Sequence, residues 1–272
     1  ALSLPEPLRM TVRLTPALAL LALAWGGCSS TEGPAASDLP ARPGLAVVAS
    51  DSPVPRTASR LGAALDAAEG VTVVATVNHA QNAQGTSGSL RPTQVFLFGN
   101  PELGTPLMQL NQLAGLDLPQ KILVYEDDND QTVVAYNSTD YLAARHGVGE
   151  AATLTTIAEA LEGFALTAAG TDQGSRLTPA SGVTLGEGVV TVASEFSVGD
   201  TYSRLRSQIV ATAALQIAAE VDHQFNAQTV GLQLRPTRLI VFGNPALGTP
   251  LMQASQTAGI DLPQKMLVYQ DA

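Results

Sequence analysis

The chain is poor in the residues that several functional classes need. It has one cysteine, 4% aromatic residues, and 14 Lys and Arg against 24 Asp and Glu, which gives a net charge of −10. A lone cysteine cannot form an internal disulfide or a cysteine-based metal cluster, so we expect no metal site. Nucleic-acid binding needs a basic patch, and the acidic balance provides none. The chain also lacks a nucleophile elbow, a dinucleotide fingerprint and a cysteine pair, so we expect no cofactor.

The one apolar run near the N-terminus, residues 14–25, is too short to cross a membrane comfortably. It follows a short basic stretch and leads into Gly26-Gly27-Cys28, which resembles a bacterial lipoprotein signal. Trp25 departs from that motif, which usually has an aliphatic residue there. We predict upstream residues and a signal peptide over 1–27, lipidation at Cys28 and a tether over 28–43. The protein would then be held at the bacterial cell envelope by lipid alone, facing the periplasm or the exterior. The alternative is a free thiol behind an ordinary secretory signal.

Lysine is almost absent, and its placement reveals a tandem repeat. The only two lysines, Lys121 and Lys265, both end the sequence Leu-Pro-Gln-Lys and lie 144 positions apart. His79 and His223 share that offset. We predict two domains, 44–170 and 188–272, joined by a linker over 171–187, with the second copy incomplete at its C-terminal side. Retention of Lys in a chain that otherwise uses Arg suggests that Arg will not serve there, although recent duplication would also copy every residue.

The hydrophobic pattern predicts an α+β fold. Apolar residues recur with helical spacing over 57–69, with Thr57 as the N-cap and Gly70 closing the helix. Alternating or short apolar runs predict strands at 44–49, 71–77, 95–98, 122–125 and 132–136, with 188–193 echoing the first. We read Asp127-Asp-Asn-Asp130 as a hairpin turn rather than a calcium loop. The order β-α-β-β-α-β-β-α predicts two tandem domains, each a mostly antiparallel sheet with helices packed on one face.

A series of motifs occurs in the same order in both copies. The first copy has His79-x-x-Asn82-Ala-Gln, Phe98-Gly-Asn-Pro101, Gly104-Thr-Pro-Leu-Met108 and Leu118-Pro-Gln-Lys121. With Val124-Tyr125, Tyr136-Asn137 and the stretch 141–146, these motifs resemble the family known as domain of unknown function 302. The likeness covers about residues 44–168 and 188–272. It implies a small sheet with helices across one face, and it implies no activity.

Three side chains carry the hypotheses about chemistry. His79, past a strand end, could act as a general base, a ligand donor or a lone metal ligand, or it could bond its own loop backbone. Asn100 could hold a substrate carbonyl or carboxylate, or cap the turn or helix that follows. Lys121, if partly buried, would have a lowered pKa that suits an amine nucleophile or an anion binder; alternatively it pairs with an acidic residue. Arg91 adds a second cation, and Tyr125 fits the core better than a cofactor contact.

We predict that His79, Asn100 and Lys121 converge in one pocket of the first domain. The hypothesis is a protein that binds small, anionic ligands; the alternatives are an enzyme using His acid/base or Lys amine chemistry and a purely structural envelope module. Replacing Lys121 with Arg should then impair binding at little cost in stability. The full set of candidate ligand-binding residues is His79, Asn82, Arg91, Asn100, Lys121, Tyr125, His223, Asn226, Arg235, Asn244, Lys265 and Tyr269.

Overall fold

The computed structural model describes residues 39–86 and 88–271. All of them lie in one compact unit, Gly33–Ala272. The predicted signal peptide and the lipidation site Cys28 lie outside the described residues. Within the described part of the chain, no helix is both long and apolar enough to cross a membrane.

The first repeat builds a six-stranded sheet in which every pair of strands is antiparallel. The strand order is β2-β3-β4-β5-β1-β6. The two-residue β6 lies inside the predicted linker 171–187 and pairs with β1, so part of the linker belongs to the sheet. The strands are β1 (Leu45–Ala49), β2 (Thr72–Asn78), β3 (Thr93–Gly99), β4 (Gln120–Glu126), β5 (Thr132–Asn137) and β6 (Arg176–Leu177).

The helices of the first repeat follow the predicted periodicity, with shifted ends. The first begins at Val54 rather than at Thr57, because Pro53 provides the extended N-cap and Pro55 stands in the first turn. Thr57 is instead buried and donates a hydrogen bond to the carbonyl of Ser52 at 3.0 Å. The helices are α1 (Val54–Ala67), α2 (His79–Gln84), α3 (Pro101–Leu110), α4 (Thr139–His146) and α5 (Leu154–Ala169), with a 3-10 helix at Gln112–Leu116.

The second repeat forms a three-stranded antiparallel sheet in the order β7-β8-β9. The predicted strand at 188–193 is wrong: these residues are irregular and mostly exposed. In the first repeat the matching strand β1 is held by β5, and the described residues contain no counterpart of β5 in the second. The elements are α6 (Val198–Ala211), β7 (Gln216–Asp222), α7 (His223–Thr229), β8 (Thr237–Gly243), α8 (Pro245–Ala254), β9 (Gln264–Tyr269) and a 3-10 helix at Gln256–Ile260.

The two sheets share one apolar core. A buried cluster between them joins side chains of both repeats, among them Val47, Leu97, Leu123, Val221, Leu239 and Val241. Leu39, in the predicted tether, is buried in the same cluster. Helices α1 and α5 cover the outer face of the first sheet, and α6 covers the second. The α+β class with antiparallel sheets and packed helices is confirmed; the division into two domains stays a prediction.

Candidate functional site

Each predicted site histidine reaches into the other repeat. His79 and His223 begin the helices α2 and α7, where the sequence predicted a loop. The Nε2 atom of His79 lies 3.2 Å from the carbonyl oxygen of Gly259, and that of His223 lies 3.3 Å from the carbonyl oxygen of Gly115. A carbonyl only accepts hydrogen bonds, so each Nε2 carries the proton and each neutral ring keeps Nδ1 as an acceptor. Burial lowers the pKa of both rings, that of His223 to about 4.

Reciprocal contacts of other residues join the same surfaces. The Nε2 of Gln112 donates to the Thr237 hydroxyl at 2.7 Å, and the Nε2 of Gln256 donates to the Thr93 hydroxyl at 2.7 Å. A Cβ at Gly115 would lie 3.1 Å from Leu267, so glycine allows the close approach of the repeats there. Contacts that repeat in both directions define an isologous interface, as in a twofold dimer.

Two related cavities lie beside this interface. The first, of about 230 Å³, is lined by Phe98 and Asn100 from one repeat and by His223 and Asn226 from the other. The second, of about 500 Å³, is lined by Phe242 and Asn244 with His79 and Asn82. The first is smaller because helix α5 adds Ile157, Leu161 and Phe164 to its wall, and no counterpart of α5 is described for the second repeat.

Each cavity is lined by a threonine whose hydroxyl is buried and has no partner among the described residues. Thr105 lines the first cavity and is 1% exposed; Thr249, its counterpart, lines the second and is 4% exposed. Neither Oγ1 atom has a hydrogen-bond partner among the described residues, and neither does the Nε2 of Gln120 in the first cavity. A buried polar group left unpaired costs about 1–3 kcal/mol. The same unpartnered hydroxyl occurs at the matching position of both repeats.

The two cavity asparagines also have a local structural role. The Oδ1 of Asn100 accepts a hydrogen bond from the Glu102 backbone at 2.9 Å, and the Oδ1 of Asn244 accepts one from Ala246 at 2.9 Å. Both residues are thus N-caps, of α3 and α8. The capping interpretation is confirmed, and the cap uses the Oδ1 atom of each asparagine.

The two lysines lie away from both cavities, in a buried cluster of charges. Asp117 is its centre: its Oδ1 is 3.4 Å from the Nζ of Lys121 and 3.1 Å from that of Lys265. Its Oδ2 is 2.7 Å from the Nη1 of Arg145 and 2.8 Å from the Nε2 of His146. Both lysines also lie 3.5 Å from the Oδ1 of Asp261. The acidic-partner interpretation of Lys121 is therefore the one that the structure supports.

The charges of the cluster set one another's pKa values. Burial alone would raise the pKa of Asp117, but Lys265, Lys121, His146 and Arg145 outweigh it and hold that pKa well below its ordinary range. Burial and the neighbouring Lys121 ammonium lower the pKa of Lys265 to about 8. Burial also opposes the charge on Lys121, yet Asp117 and Asp261 raise its pKa. The two lysines share two carboxylates and titrate as a pair.

The remaining candidates are scattered. Arg91 donates to the Oε1 of Gln256 at 3.2 Å and pairs with Asp128. Tyr125 belongs to the cluster between the sheets, and burial raises the pKa of its phenol. Tyr269 is half-buried in β9, and Arg235 is exposed just before β8.

The predicted convergence of His79, Asn100 and Lys121 in one pocket is wrong. His79 lines the second cavity, Asn100 the first, and Lys121 neither. The reason is that each cavity takes its histidine from one repeat and its helix-capping asparagine, Asn100 or Asn244, from the other. Sequence reasoning also missed Asp117 and Asp261 and the pair Thr105 and Thr249, although each pair persists at the repeat offset. Within the described ranges, no group of three or more His, Cys, Asp or Glu could hold a metal ion.

Comparison with known families fits this two-copy architecture. Residues 46–164 and 190–272 match the family described as Domain of unknown function DUF302. The chain belongs to the DUF302 family. The family resemblance of the motifs is thereby confirmed, and both matched segments of this DUF302 protein include the cavity motifs and the lysine of each repeat.

Curated relatives match a shorter part of this DUF302 protein. The "Fluoride-specific ion channel FluC 1" of Brucella suis biovar 1 (strain 1330) is 43% identical over 84 residues, which is 31% of this chain and 33% of that relative. The "Fluoride-specific ion channel FluC 2" of Brucella melitensis biotype 1 is 43% identical over 84 residues, 31% of each. The chain thus spans about a third of the length of these relatives.

A solved DUF302 structure also shows similarity. The crystal structure of an uncharacterized conserved DUF302 protein from Bacillus stearothermophilus has 19% sequence identity and a TM-score of 0.40. The similarity covers 46% of this chain and 98% of the other.

Proposed function

We propose that this protein binds small, uncharged, largely apolar molecules in two related cavities, one on each side of the interface between its repeats. The observation that carries the proposal is the pair of buried, unpartnered hydroxyls, Thr105 and Thr249. Ligand sites are mostly apolar with a few placed polar groups, and both cavities have that character. The lipoprotein-type sequence around Cys28 supports a place at the cell envelope, held by lipid.

The charge of the lining supports an uncharged ligand over the anionic one suggested by the sequence. None of the described residues that line either cavity carries a formal charge. His223 and His79 are neutral near pH 7, because burial lowers their pKa values. An anion would lose its hydration without gaining a counterion, which is costly in an apolar site. A carbonyl or amide group could instead meet the threonine hydroxyl and, in the first cavity, the Gln120 amide.

The position of the lysines favours a ligand-binding protein over an enzyme that uses a lysine amine. Lys121 and Lys265 are engaged by Asp117 and Asp261, and neither lines a cavity. The channel function in the names of the Brucella relatives describes proteins of which this chain matches about a third, so it does not enter the proposal.

The test uses two probes of the same shape and different charge, benzamide and benzoate. Their binding is followed by chemical-shift titration of the whole protein. We expect benzamide to shift amides around both cavities and benzoate to bind at least several-fold more weakly. Thr105→Val should weaken benzamide binding at the first cavity by roughly tenfold, the equivalent of one hydrogen bond. Thr249→Val should do the same at the second cavity.

Stability separates a ligand-binding hydroxyl from a structural one. Thr105→Val removes no hydrogen bond from the free protein, so its melting temperature should stay equal or rise. The matched control is Thr57→Val, a buried threonine whose hydroxyl is bonded to Ser50 and Ser52. That variant should be less stable with unchanged benzamide affinity. Equal loss of affinity in Thr57→Val and Thr105→Val, or tighter binding of benzoate, would contradict the proposal.

A further inference from the structure

The edge strand β2 changes face midway along its length. Val71 and Val73 pack against the outer cluster beneath α1 and α5. Ala75 and Val77, further along the strand, pack in the cluster between the two sheets. In a regular strand, residues two apart point to the same face. The alternation of these four residues in the sequence therefore covers two half-strands that face opposite ways.

A β-bulge at Val74 produces this change of face. Val73 pairs with Phe98 and Ala75 with Leu97, so two steps along β2 match one step along β3. Val74 is left without a partner in the register. The extra residue reverses the face of every residue that follows it. β2 is an edge strand of its sheet, and bulges are common at sheet edges and beside functional sites.

The second repeat has the same bulge in its own edge strand, β7. Ile217 pairs with Phe242 and Ala219 with Val241, which leaves Ala218 without a partner. Ile217 packs beneath α6 and Ala219 between the sheets, so this strand changes face at the same place. The sequences of β2 and β7 differ at most positions. The bulge persists although the residues around it change, which marks it as a built feature of the fold.

The bulged residue lines a cavity in each repeat. Val74 belongs to the wall of the first cavity, together with Val71 and Thr72 of the same strand. Its neighbour Val73, which packs in the outer cluster, does not line that cavity. In the second cavity, β7 contributes Ala218 from the same position. Each cavity therefore has one part of its wall made by a bulged edge strand.

The edge-strand part of the wall differs in sequence between the two cavities. The lining residues from Phe98 to Gln120 of the first cavity all have identical counterparts that line the second. The lining residues of the edge strand all differ, with Val71, Thr72 and Val74 corresponding to Leu215, Gln216 and Ala218. The shared lining suits a ligand group that both cavities recognise. The variable lining suits the part in which the two ligands differ.

Val74 is suited to limit the size of a ligand in the first cavity. A β-branched side chain is stiff about χ1, so its two methyl groups keep their place. Met108, in the shared lining, is unbranched and can adapt to the shape of a ligand. Phe98 is held by an edge-to-face contact with Phe164, with 5.6 Å between the ring centroids. The bulge accepts a smaller residue, because Ala218 occupies the same position in β7.

We propose that Val74 sets the size of the ligand that the first cavity accepts, while the lining shared by both cavities recognises the polar group common to their ligands. This inference rests on the proposed function. The polar group is the carbonyl or amide that meets Thr105, and the edge strand selects the apolar part attached to it. The second cavity, with Ala218 at the bulge, takes a related ligand with a different apolar part.

The test compares benzamide with the three ring-methylated benzamides, each titrated into the whole protein and followed by chemical shift. The amide signals of Thr105 and Thr249 report the first and the second cavity. At the first cavity, Val74→Ala should raise the affinity of at least one methylbenzamide relative to benzamide by roughly tenfold, since one carbon in an apolar pocket changes binding by about 10–200-fold. The affinity ratios at the second cavity, which Val74 does not line, should stay unchanged.

Val73→Ala is the matched control. It removes the same two methyl groups from the adjacent residue, which packs in the outer cluster and lines neither cavity. It should lower the melting temperature and change no affinity ratio.

The inference and the proposed function fail in different ways. Unchanged ratios for all methylbenzamides in Val74→Ala, or an equal change in Val73→Ala, would overturn the inference alone, as long as benzamide binding still responds to Thr105→Val. If benzamide binds neither cavity, the proposed function is wrong and the inference falls with it.

Discussion

Lys121 shows how a single buried position can resist a conservative change. Its side chain is 6% exposed and shares Asp117 and Asp261 with Lys265. A compact ammonium fits between two carboxylates beside a second ammonium, whereas a guanidinium is larger and planar. The sequence suggested that Arg would not serve there, and we expect the reason to be packing around the buried side chain.

We therefore expect Lys121→Arg to destabilise the protein by about 1–3 kcal/mol, the usual cost of overpacking a core. The same variant should leave benzamide binding unchanged, because Lys121 lines neither cavity. This reverses the expectation from the sequence, which placed the cost on binding. Urea unfolding measures the first effect and chemical-shift titration the second. Arg206→Lys, in an exposed pair with Glu220, is the control and should change stability by no more than about 0.5 kcal/mol. A stable Lys121→Arg variant that fails to bind would refute the argument.

The buried histidines make stability depend on pH in a defined window. Burial lowers the pKa of folded His223 to about 4, while an unfolded histidine titrates near its ordinary value of about 6.5. Between these values the unfolded chain binds more protons, so the free energy of unfolding falls as pH falls from about 6.5 to about 4. His223 alone can lower the free energy of unfolding over this range by at most about 3 kcal/mol.

Replacing His223 with Gln should flatten this dependence, because Gln does not titrate and can still donate to the Gly115 carbonyl. His79, whose pKa is also lowered by burial, should account for part of the remaining slope. Urea unfolding at several pH values between 4 and 7 measures the slopes. Identical slopes for the native protein and His223→Gln would show that the ring is not held neutral.

At the scale of elements, the sequence predicted most strands and helices, because their patterns are local. The strand at 95–98 and the helix at 57–69 appear nearly as expected, as β3 and α1. The strand at 188–193 fails although its sequence resembles that of β1, since a strand needs a partner and β1 has β5. Secondary structure at a sheet edge depends on what lies beside it, which the local pattern does not contain.

The candidate site was predictable in its residues and unpredictable in its grouping. His79, Asn100 and Lys121 each have a defined role, but His79 meets Asn244 across the interface instead of Asn100 within its own repeat. Nothing in one copy of the motif reveals that the two copies exchange contacts. Asp117 and Thr105 were identifiable from their persistence at the repeat offset, whereas their burial was not.

At the scale of the whole molecule, the two repeats pair as two subunits of a dimer would. Several contacts across the interface occur twice in opposite directions: His79 to Gly259 and His223 to Gly115, Gln112 to Thr237 and Gln256 to Thr93. The first repeat therefore carries both halves of every such contact. The inner sheet face of the first repeat could therefore pair with the same face of a second copy.

We predict that the first repeat alone, residues 39–187, folds and forms a homodimer, while residues 188–271 alone do not fold. The first keeps the cluster beneath α1 and α5, which includes Leu61, Leu65 and Leu161. In the homodimer, His79 of one copy would contact Gly115 of the other, as His223 does here, and Lys121 of one copy would pair with Asp117 of the other, as Lys265 does here. The second repeat has only a small cluster beneath α6, and alone it loses the Asp117 counterion of Lys265 and the sheet that covers Leu239. Circular dichroism and sedimentation equilibrium of the two fragments decide the matter. A monomeric first fragment, or a second fragment that melts cooperatively on its own, would show that the repeats are independent domains after all.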